Sequence, residues 1–225
     1  PERLDGRGLS IIGGGIAGLT AAEELRKLSP TATITLITEE KQPPSYRLNL
    51  TRYLSQAIDS TSLPIHPLDW YEQNRINLVT NTEVAHIHCT DKTVELSDKT
   101  LLAYDKLITA IGAHPFIPPI PGNTLTNVVT VRTVADAEYI LSKINKIDSC
   151  ICIGGGILGL ETAGAIAKCG IKVQLLEESE WLMPRQLNKA GASLLKAHIE
   201  AAGVQVLTSV RVKAITGTDR CESVL

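Results

Sequence analysis

Ile12-Gly-Gly-Gly-Ile-Ala-Gly18 and Ile153-Gly-Gly-Gly-Ile-Leu-Gly159 are two copies of one pattern, separated by 153 minus 12, or 141, residues. A short apolar run typical of a β-strand precedes each copy, and small and apolar residues at helical spacing follow it. A second apolar run comes after each helical segment, at 32–37 and 171–176. Strand, helix and strand in this order form a βαβ unit with parallel strands. The chain is therefore predicted to be an α/β protein with a parallel sheet in each half.

The pattern changes between Leu78 and Gly112, where short alternating runs separated by Asp and Lys indicate an antiparallel meander. Four prolines in residues 115–122 exclude a helix and a central strand, so this stretch is predicted to connect the two halves. The domains are then 1–114, the connector 115–122, and 123–225. Strands are expected at 84–88, 93–96, 101–104, 128–131, 204–207 and 210–215, and further helices at 134–144 and 187–202.

The composition excludes several classes of protein. Of 225 residues, 44% are hydrophobic and 20% are charged, which is typical of a globular chain rather than a disordered one. The net charge of -2 offers no basic surface for nucleic acid or an anionic membrane. Neither a long apolar run nor a signal-like N-terminus is present, so we expect a cytoplasmic protein without a membrane span. The five cysteines lack metal-site spacing, and we expect them to be packing residues and no metal to be bound.

The two glycine patterns have the spacing of a dinucleotide-binding fingerprint, G-x-G-x-x-G. In such a fingerprint the first glycine makes a tight turn, the second lets the backbone approach a pyrophosphate, and the third lets the helix pack on the strand. An acidic residue that can bind a ribose follows each copy, at Glu39 or Glu40 and at Glu177 or Glu178. The alternative, two purely structural tight turns, does not account for these acids. At the second copy the acids would repel a 2′-phosphate, which favours NADH over NADPH.

Several motifs together resemble a known family. They are the first fingerprint, Tyr104-Asp-Lys-Leu-Ile-Thr-Ala-Ile-Gly112 at the end of the first half, and Gly154 to Glu161 at the start of the second. The chain resembles the FAD- and NAD(P)-dependent pyridine nucleotide reductases. Pro43-Pro-Ser-Tyr-Arg-Leu-Asn-Leu-Thr51 and Leu182-Met-Pro-Arg-Gln-Leu187 are similar to the branch with NADH:rubredoxin reductases, ferredoxin reductases and nitrite reductase large subunits. The resemblance implies two Rossmann-like domains, FAD-binding over 1–114 and NAD-binding over 123–225, of which the C-terminal part is missing.

The resemblance also implies roles for individual residues. Arg47 and Thr51 would lie by the flavin, and Glu40 or its neighbour Glu39 would bind the adenosine ribose of FAD. Arg52 and Glu161 would form a pair beside the nicotinamide; the alternative is a solvated Arg52 and a Glu161 in the first helical turn, where the helix dipole favours an acid. The remaining contacts to FAD would come from Gly13, Gly15, Ala17, Gly18, Thr109, Ala110 and Gly112, and those to NADH from Gly154, Gly156, Gly159 and Glu177.

Two departures from the family pattern narrow the expected chemistry. Ile111 replaces the threonine that the family usually has there, so one hydroxyl contact to the cofactor is lost. No cysteine occurs between Glu39 and Leu63, where thiol-dependent members carry redox cysteines. We therefore expect hydride transfer from NADH to FAD, and then electron transfer to a small electron-transfer protein or a redox subunit. A dinucleotide-binding fragment without turnover is the alternative, and a disulfide reductase is disfavoured. Unpaired sheet edges make a homo-oligomer possible.

Overall fold

A computed structural model describes the backbone of Arg3–Leu4 and all of residues 8–225. The chain divides into two compact units. The first holds the described residues up to Arg47 together with Ser60–His114, and the second holds Leu48–Asp59 and Pro115–Leu225.

The strands and helices alternate along much of the chain, as expected for an α/β protein. In chain order the strands are β1 (Arg3–Leu4), β2 (Leu9–Ile12), β3 (Ile34–Ile37), β4 (Ile76–Val79), β5 (Val84–His88), β6 (Thr93–Leu96), β7 (Leu101–Ala103), β8 (Lys106–Thr109), β9 (Ser149–Ile153), β10 (Lys172–Leu176), β11 (Val204–Leu207), β12 (Ile215–Thr216) and β13 (Ser223–Val224). The α-helices are α1 (Ile16–Leu28), α2 (Leu50–Leu54), α3 (Leu68–Gln73), α4 (Val134–Ile144), α5 (Ile157–Lys168) and α6 (Lys189–Ala201), with 3-10 turns at Arg47–Asn49 and Ser60–Ser62.

The first unit is built on a four-stranded parallel sheet with the order β4-β3-β2-β8. Helix α1 returns the chain from β2 to β3 and buries Leu19 and Ala22 against this sheet. The strands contribute Ile11 and Leu36 to the same core. The small residues of α1 matter here because they let the helix lie close to the strands. This arrangement confirms the first predicted βαβ unit.

A second sheet in the first unit has the order β1-β7-β6-β5. Strands β5, β6 and β7 pair antiparallel, which confirms the predicted meander, and β1 joins β7 in parallel. Both His86 and His88 on β5 are exposed, and so are Ala85 and Ile87 on the same strand.

The second unit has a parallel sheet with the order β11-β10-β9, and α5 connects β9 to β10. Its core includes Leu160 and Ile166 from α5 and Leu175 from β10. Cys150 and Cys152 alternate on β9 and pack on one face against this core, as strand periodicity predicts. The two parallel sheets and the meander confirm the predicted α/β fold.

The contacts divide the chain differently from the predicted boundary in one respect. Residues 48–59 belong to the second unit, because α2 packs against α4 and α5. The thiol of Cys169 donates to the carbonyl of Leu54 at 3.3 Å and anchors this segment. The proline-rich stretch 115–122 forms no strand or helix and groups with the second unit.

Two predicted strands are wrong. Residues 128–131 form no strand, because Leu125 to Val128 is a turn closed by a hydrogen bond and Asn127 has a φ of 67°. Residues 210–215 pair only from Ile215 onward, since Ser209 has a φ of 59° and the N–H of Val210 donates outside any ladder. Among the described residues, no helix is long and apolar enough to cross a membrane.

Candidate dinucleotide-binding sites

The first glycine of each fingerprint has a backbone conformation that other residues rarely adopt. Gly13 has a φ of 113° and Gly154 a φ of 108°. Each follows the last residue of a strand, so the chain leaves β2 and β9 through a turn of positive φ. L-residues with a Cβ are strained in this region, which explains the glycine at both positions.

The third glycine of each copy lets the helix approach the turn. A Cβ added at Gly18 would lie much closer than 3.0 Å to the carbonyl oxygen of Gly13, and a Cβ added at Gly159 would clash with the carbonyl oxygen of Gly154 in the same way. The second glycines, Gly15 and Gly156, face open space instead. A free approach at these two positions is what a pyrophosphate requires.

The two fingerprint helices begin without a side-chain cap. Gly15 and Gly156 are the N-cap residues of α1 and α5, and no side chain accepts from the N–H groups of their first turns. Two other helices are capped by side chains: the Thr133 hydroxyl accepts from Asp136 at α4, and the Asn188 side chain accepts from Gly191 at α6, whereas the short helices α2 and α3 are not. Uncapped N–H groups at a helix N-terminus attract phosphate. Ala17, exposed in the first turn of α1, lies at this end.

The acid at the end of β10 is tied to the second glycine turn. The N–H of Gly155 donates to Oε2 of Glu177 at 2.7 Å, and the N–H of Ser179 donates to Oε1 at 2.7 Å. Burial raises the pKa of Glu177, but these hydrogen bonds outweigh it and leave the pKa below its ordinary value. An ionised carboxylate still has lone pairs free for ribose hydroxyls.

The loop after β10 closes over the same turn. The N–H of Met183, which has a φ of 51°, donates to the carbonyl of Gly155 at 3.2 Å, and buried Leu182 packs beside this glycine. Glu177 therefore accepts from the N–H of Gly155, and Met183 donates to its carbonyl. These two hydrogen bonds tie the turn to the end of β10 and to the loop that follows it.

The first half places a threonine where the second has its glutamate. Ile12 pairs with Ile37 on β3, as Ile153 pairs with Leu176 on β10, so Thr38 is the structural counterpart of Glu177. Thr38 is buried against Gly14, and the N–H of Glu40 donates to its Oγ1 at 3.3 Å. Sequence reasoning missed Thr38 because it looked only for acids; its position directly after the strand was the available signal.

The two candidate ribose acids of the first half differ in their surroundings. Glu39 is exposed, whereas Glu40 is partly buried and forms an ion pair with Arg47 at 2.8 Å. The structure thus brings together Glu40 and Arg47, both expected near FAD. It favours Glu40 as the fixed carboxylate.

The end of β8 lies against the first turn. The N–H of Ala110 donates to the carbonyl of Ile12 at 2.7 Å, and a Cβ on Gly13 would collide with the Ala110 backbone. Thr109 is exposed, and Gly112 follows with a φ of 68°. These residues are therefore at the carboxyl edge of the parallel sheet, where ligands of such folds bind. Ile111 is 72% exposed, so its side chain is not part of the buried core.

Arg52 and Glu161 are not paired. Both are exposed in the second unit, and among the described residues the ion pairs within 4.0 Å do not include either of them. The Arg52 guanidinium is 3.5 Å from Oδ1 of Asn49, and Thr51 precedes it on α2. The first turn of α5 holds no acid, so Glu161 does not occupy the first-turn position either.

Arg132 is a further residue that sequence reasoning missed. Its Nε, just before α4, is buried and has no hydrogen-bond partner in the part of the chain that the structure describes. Burying a charged N–H group that makes no hydrogen bond costs free energy, so this group of Arg132 is a candidate contact for an anion. No local motif distinguished this arginine from the exposed ones.

All five cysteines are free, and within residues 8–225 no group of three or more His, Cys, Asp or Glu side chains could hold a metal ion.

Comparison with known proteins connects these sites to a family. The family model described as pyridine nucleotide-disulphide oxidoreductase matches residues 8–225. The chain belongs to the pyridine nucleotide-disulphide oxidoreductase family. This membership confirms the predicted family and agrees with the predicted cofactors, FAD and NADH, since the family and its relatives bind FAD and depend on NAD(H).

Individual relatives match over nearly the whole chain. A nitrite reductase [NAD(P)H] of Bacillus subtilis is 34% identical over 95% of this chain and 27% of that protein. A rhodocoxin reductase of Rhodococcus erythropolis is 35% identical over 93% of this chain and 49% of that protein. The NADH:rubredoxin oxidoreductase of Clostridium acetobutylicum has a TM-score of 0.83 at 28% identity, over 93% of this chain and 54% of that one. The chain thus spans about half or less of these relatives.

Proposed function

We propose that this chain binds FAD at its first glycine turn and NADH at its second. We further propose that it belongs to a flavoprotein oxidoreductase that passes electrons to an external acceptor. The observation that carries the proposal is the pair of uncapped helices, each preceded by a glycine turn of positive φ and an open second glycine. Purely structural turns would not need an open Cβ position beside free N–H groups.

The residues of the first turn suit FAD. The N–H groups at the start of α1 would bind its pyrophosphate, beside Gly13, Gly15 and Gly18. The ion pair with Arg47 holds the carboxylate of Glu40 in one orientation, in which it can accept from ribose hydroxyls. Thr109, Ala110 and Gly112 would line the cofactor where the chain leaves the sheet edge.

The residues of the second turn suit NADH. Two backbone N–H groups donate to Glu177 and favour its anionic form. It would accept hydrogen bonds from both hydroxyls of an adenosine ribose and repel a 2′-phosphate. The start of α5, with Gly154, Gly156 and Gly159, would bind the pyrophosphate.

When bound, FAD would supply the chemistry that converts the hydride of NADH into single electrons, so that NADH yields NAD⁺ and a proton while two equivalents of a one-electron acceptor are reduced. The chain's residues would position the two dinucleotides and exclude water from between them. We place Arg52, Thr51 and Glu161 beside the reacting rings as a proposal that rests on the family resemblance. A small electron-transfer protein or a nitrite-reducing centre suits the acceptor, since the relatives include a rhodocoxin reductase and a nitrite reductase.

An anaerobic visible spectrum tests the proposal. The chain, purified with added FAD and then desalted, is expected to retain flavin absorbance, and stoichiometric NADH should bleach it. Ferricyanide should restore the absorbance, because it accepts the electrons singly. Thiol alkylation beforehand should not change the result, since the proposed route uses no cysteine.

Other outcomes would contradict specific parts of the proposal. A colourless protein that binds NADH but no FAD would support a dinucleotide-binding module without turnover. Bound flavin that NADH does not bleach would refute hydride transfer in this chain. Bleaching that alkylation abolishes would revive the disulfide reductase.

A further inference from the structure

The choice between NADH and NADPH is made at the adenosine ribose. The two coenzymes differ only in a 2′-phosphate on the adenosine ribose, so the groups beside the strand-end acid decide which one binds. Relatives of this chain differ in the coenzyme that their names give: one is named for NAD(P)H and another for NADH.

The chain segment after β11 is fixed next to this acid. The N–H of Val210 donates to the carbonyl of Glu177 at 3.0 Å, and the N–H of Ser209 donates to the carbonyl of Ser179 at 2.9 Å. The φ of 59° at Ser209 turns the chain between these two bonds. As a result, the next residue, Arg211, is carried beside the strand-end acids.

Arg211 places a cation at this edge, and this cation faces a carboxylate. Its Nε lies 3.6 Å from Oε1 of Glu178, and the two side chains are 81% and 70% exposed. A guanidinium can bind a phosphate through two parallel hydrogen bonds, and an arginine near the ribose is the usual partner of the 2′-phosphate. Glu178 competes for that guanidinium.

We propose that Glu178 keeps the second site selective for NADH by pairing with Arg211, which would otherwise bind the 2′-phosphate of NADPH. Glu177 repels that phosphate directly, whereas Glu178 pairs with the cation that lies beside it. This inference rests on the proposed function, since it assumes that the second turn binds a nicotinamide dinucleotide.

Binding of NAD⁺ and NADP⁺ tests the inference without turnover. Both are titrated calorimetrically, at low salt and with FAD present, into the unaltered chain, Glu178→Gln, Arg211→Gln and the double variant. Glu180→Gln is the matched control, because Glu180 is a nearby acid whose partner is Lys189. Exposed ion pairs are weak, so we expect Glu178→Gln to tighten NADP⁺ binding by about fivefold, with NAD⁺ binding changed by less than about twofold.

The double variant shows whether the gain in NADP⁺ affinity depends on Arg211. If Arg211 is the phosphate partner, Arg211→Gln added to Glu178→Gln should abolish the gain, and 0.5 M salt should shrink it. A gain that survives in the double variant, or that appears equally in Glu180→Gln, would show a general charge effect and overturn the inference. NAD⁺ binding without any response of NADP⁺ would overturn it and leave the proposed function intact. Absence of NAD⁺ binding to the unaltered chain would refute the proposed function itself.

Discussion

The glycines of the first turn allow folding and cofactor binding to be separated. An alanine at Gly18 would place its Cβ much closer than 3.0 Å to the carbonyl oxygen of Gly13. That oxygen is a backbone atom of the turn, so α1 would have to move away from β2. An alanine at Gly15, by contrast, would meet no protein atom within 4 Å.

The magnitudes follow from this difference. Overpacking in a tight region costs about 1–3 kcal/mol, and the backbone clash puts Gly18→Ala at the upper end. The better helix propensity of alanine returns about 1 kcal/mol, so we expect Gly18→Ala to lower the free energy of unfolding by about 2 kcal/mol. For Gly15→Ala the φ of −78° suits alanine, and we expect a loss of about 0.5 kcal/mol, since alanine is a poor N-cap.

Cofactor binding should fall in both variants, but only Gly15→Ala should lose it while the fold stays stable. The Cβ of Gly15→Ala would occupy the space through which a pyrophosphate approaches the helix, so we expect FAD affinity to fall at least about tenfold in a folded protein. Gly18→Ala should lose both stability and FAD.

Urea unfolding followed by circular dichroism measures the first quantity, and quenching of flavin fluorescence measures the second. The reasoning would be refuted if Gly15→Ala bound FAD as tightly as the unaltered chain. It would also be refuted if Gly18→Ala unfolded at the same urea concentration, because the close approach of helix and turn would then carry no energy.

Three further predictions concern single side chains. Tyr71→Phe should leave the free energy of unfolding unchanged or raise it by about 1 kcal/mol in urea, because the buried hydroxyl has no hydrogen-bond partner among the described residues. Arg26→Met should lower it by about 2 kcal/mol, since its guanidinium donates to four carbonyls, whereas Lys27→Met, which removes only an exposed ion pair, should change it by less than about 0.5 kcal/mol. The pKa of Glu177 is lower in the folded protein than in the unfolded chain, so the ionised side chain stabilises the fold above the ordinary carboxyl pKa. This contribution to stability is lost as the pH falls through the folded pKa. Glu177→Gln should therefore flatten the acid-side decline in thermal stability, measured between pH 6 and 3, roughly the range in which carboxyl groups titrate.

Features that depend on neighbouring residues in the chain could be predicted from the sequence. The glycine turns, β2, β9 and the helices that follow are of this kind. Gly13 and Gly154 need a positive φ, which is a local property, and helix α4 was predicted at its observed bounds because its apolar spacing lies within one segment. Family membership followed from the same local motifs.

Features that depend on distant residues needed the tertiary structure. Residues 128–131 have strand-like composition but no partner strand, and α2 belongs to the second unit only because α4 and α5 cover it. Strand propensity is realised only where another strand supplies the hydrogen bonds, which no local pattern reveals.

The same division runs through the candidate sites. The sequence by itself determined that two dinucleotide turns exist and that acids follow them. Only the tertiary structure decided that Thr38 matches Glu177, that Glu40 rather than Glu39 is held by Arg47, and that Arg211 reaches Glu178. The register of parallel strands and the return of a later loop set these pairings, so their cause lies in residues far apart along the chain.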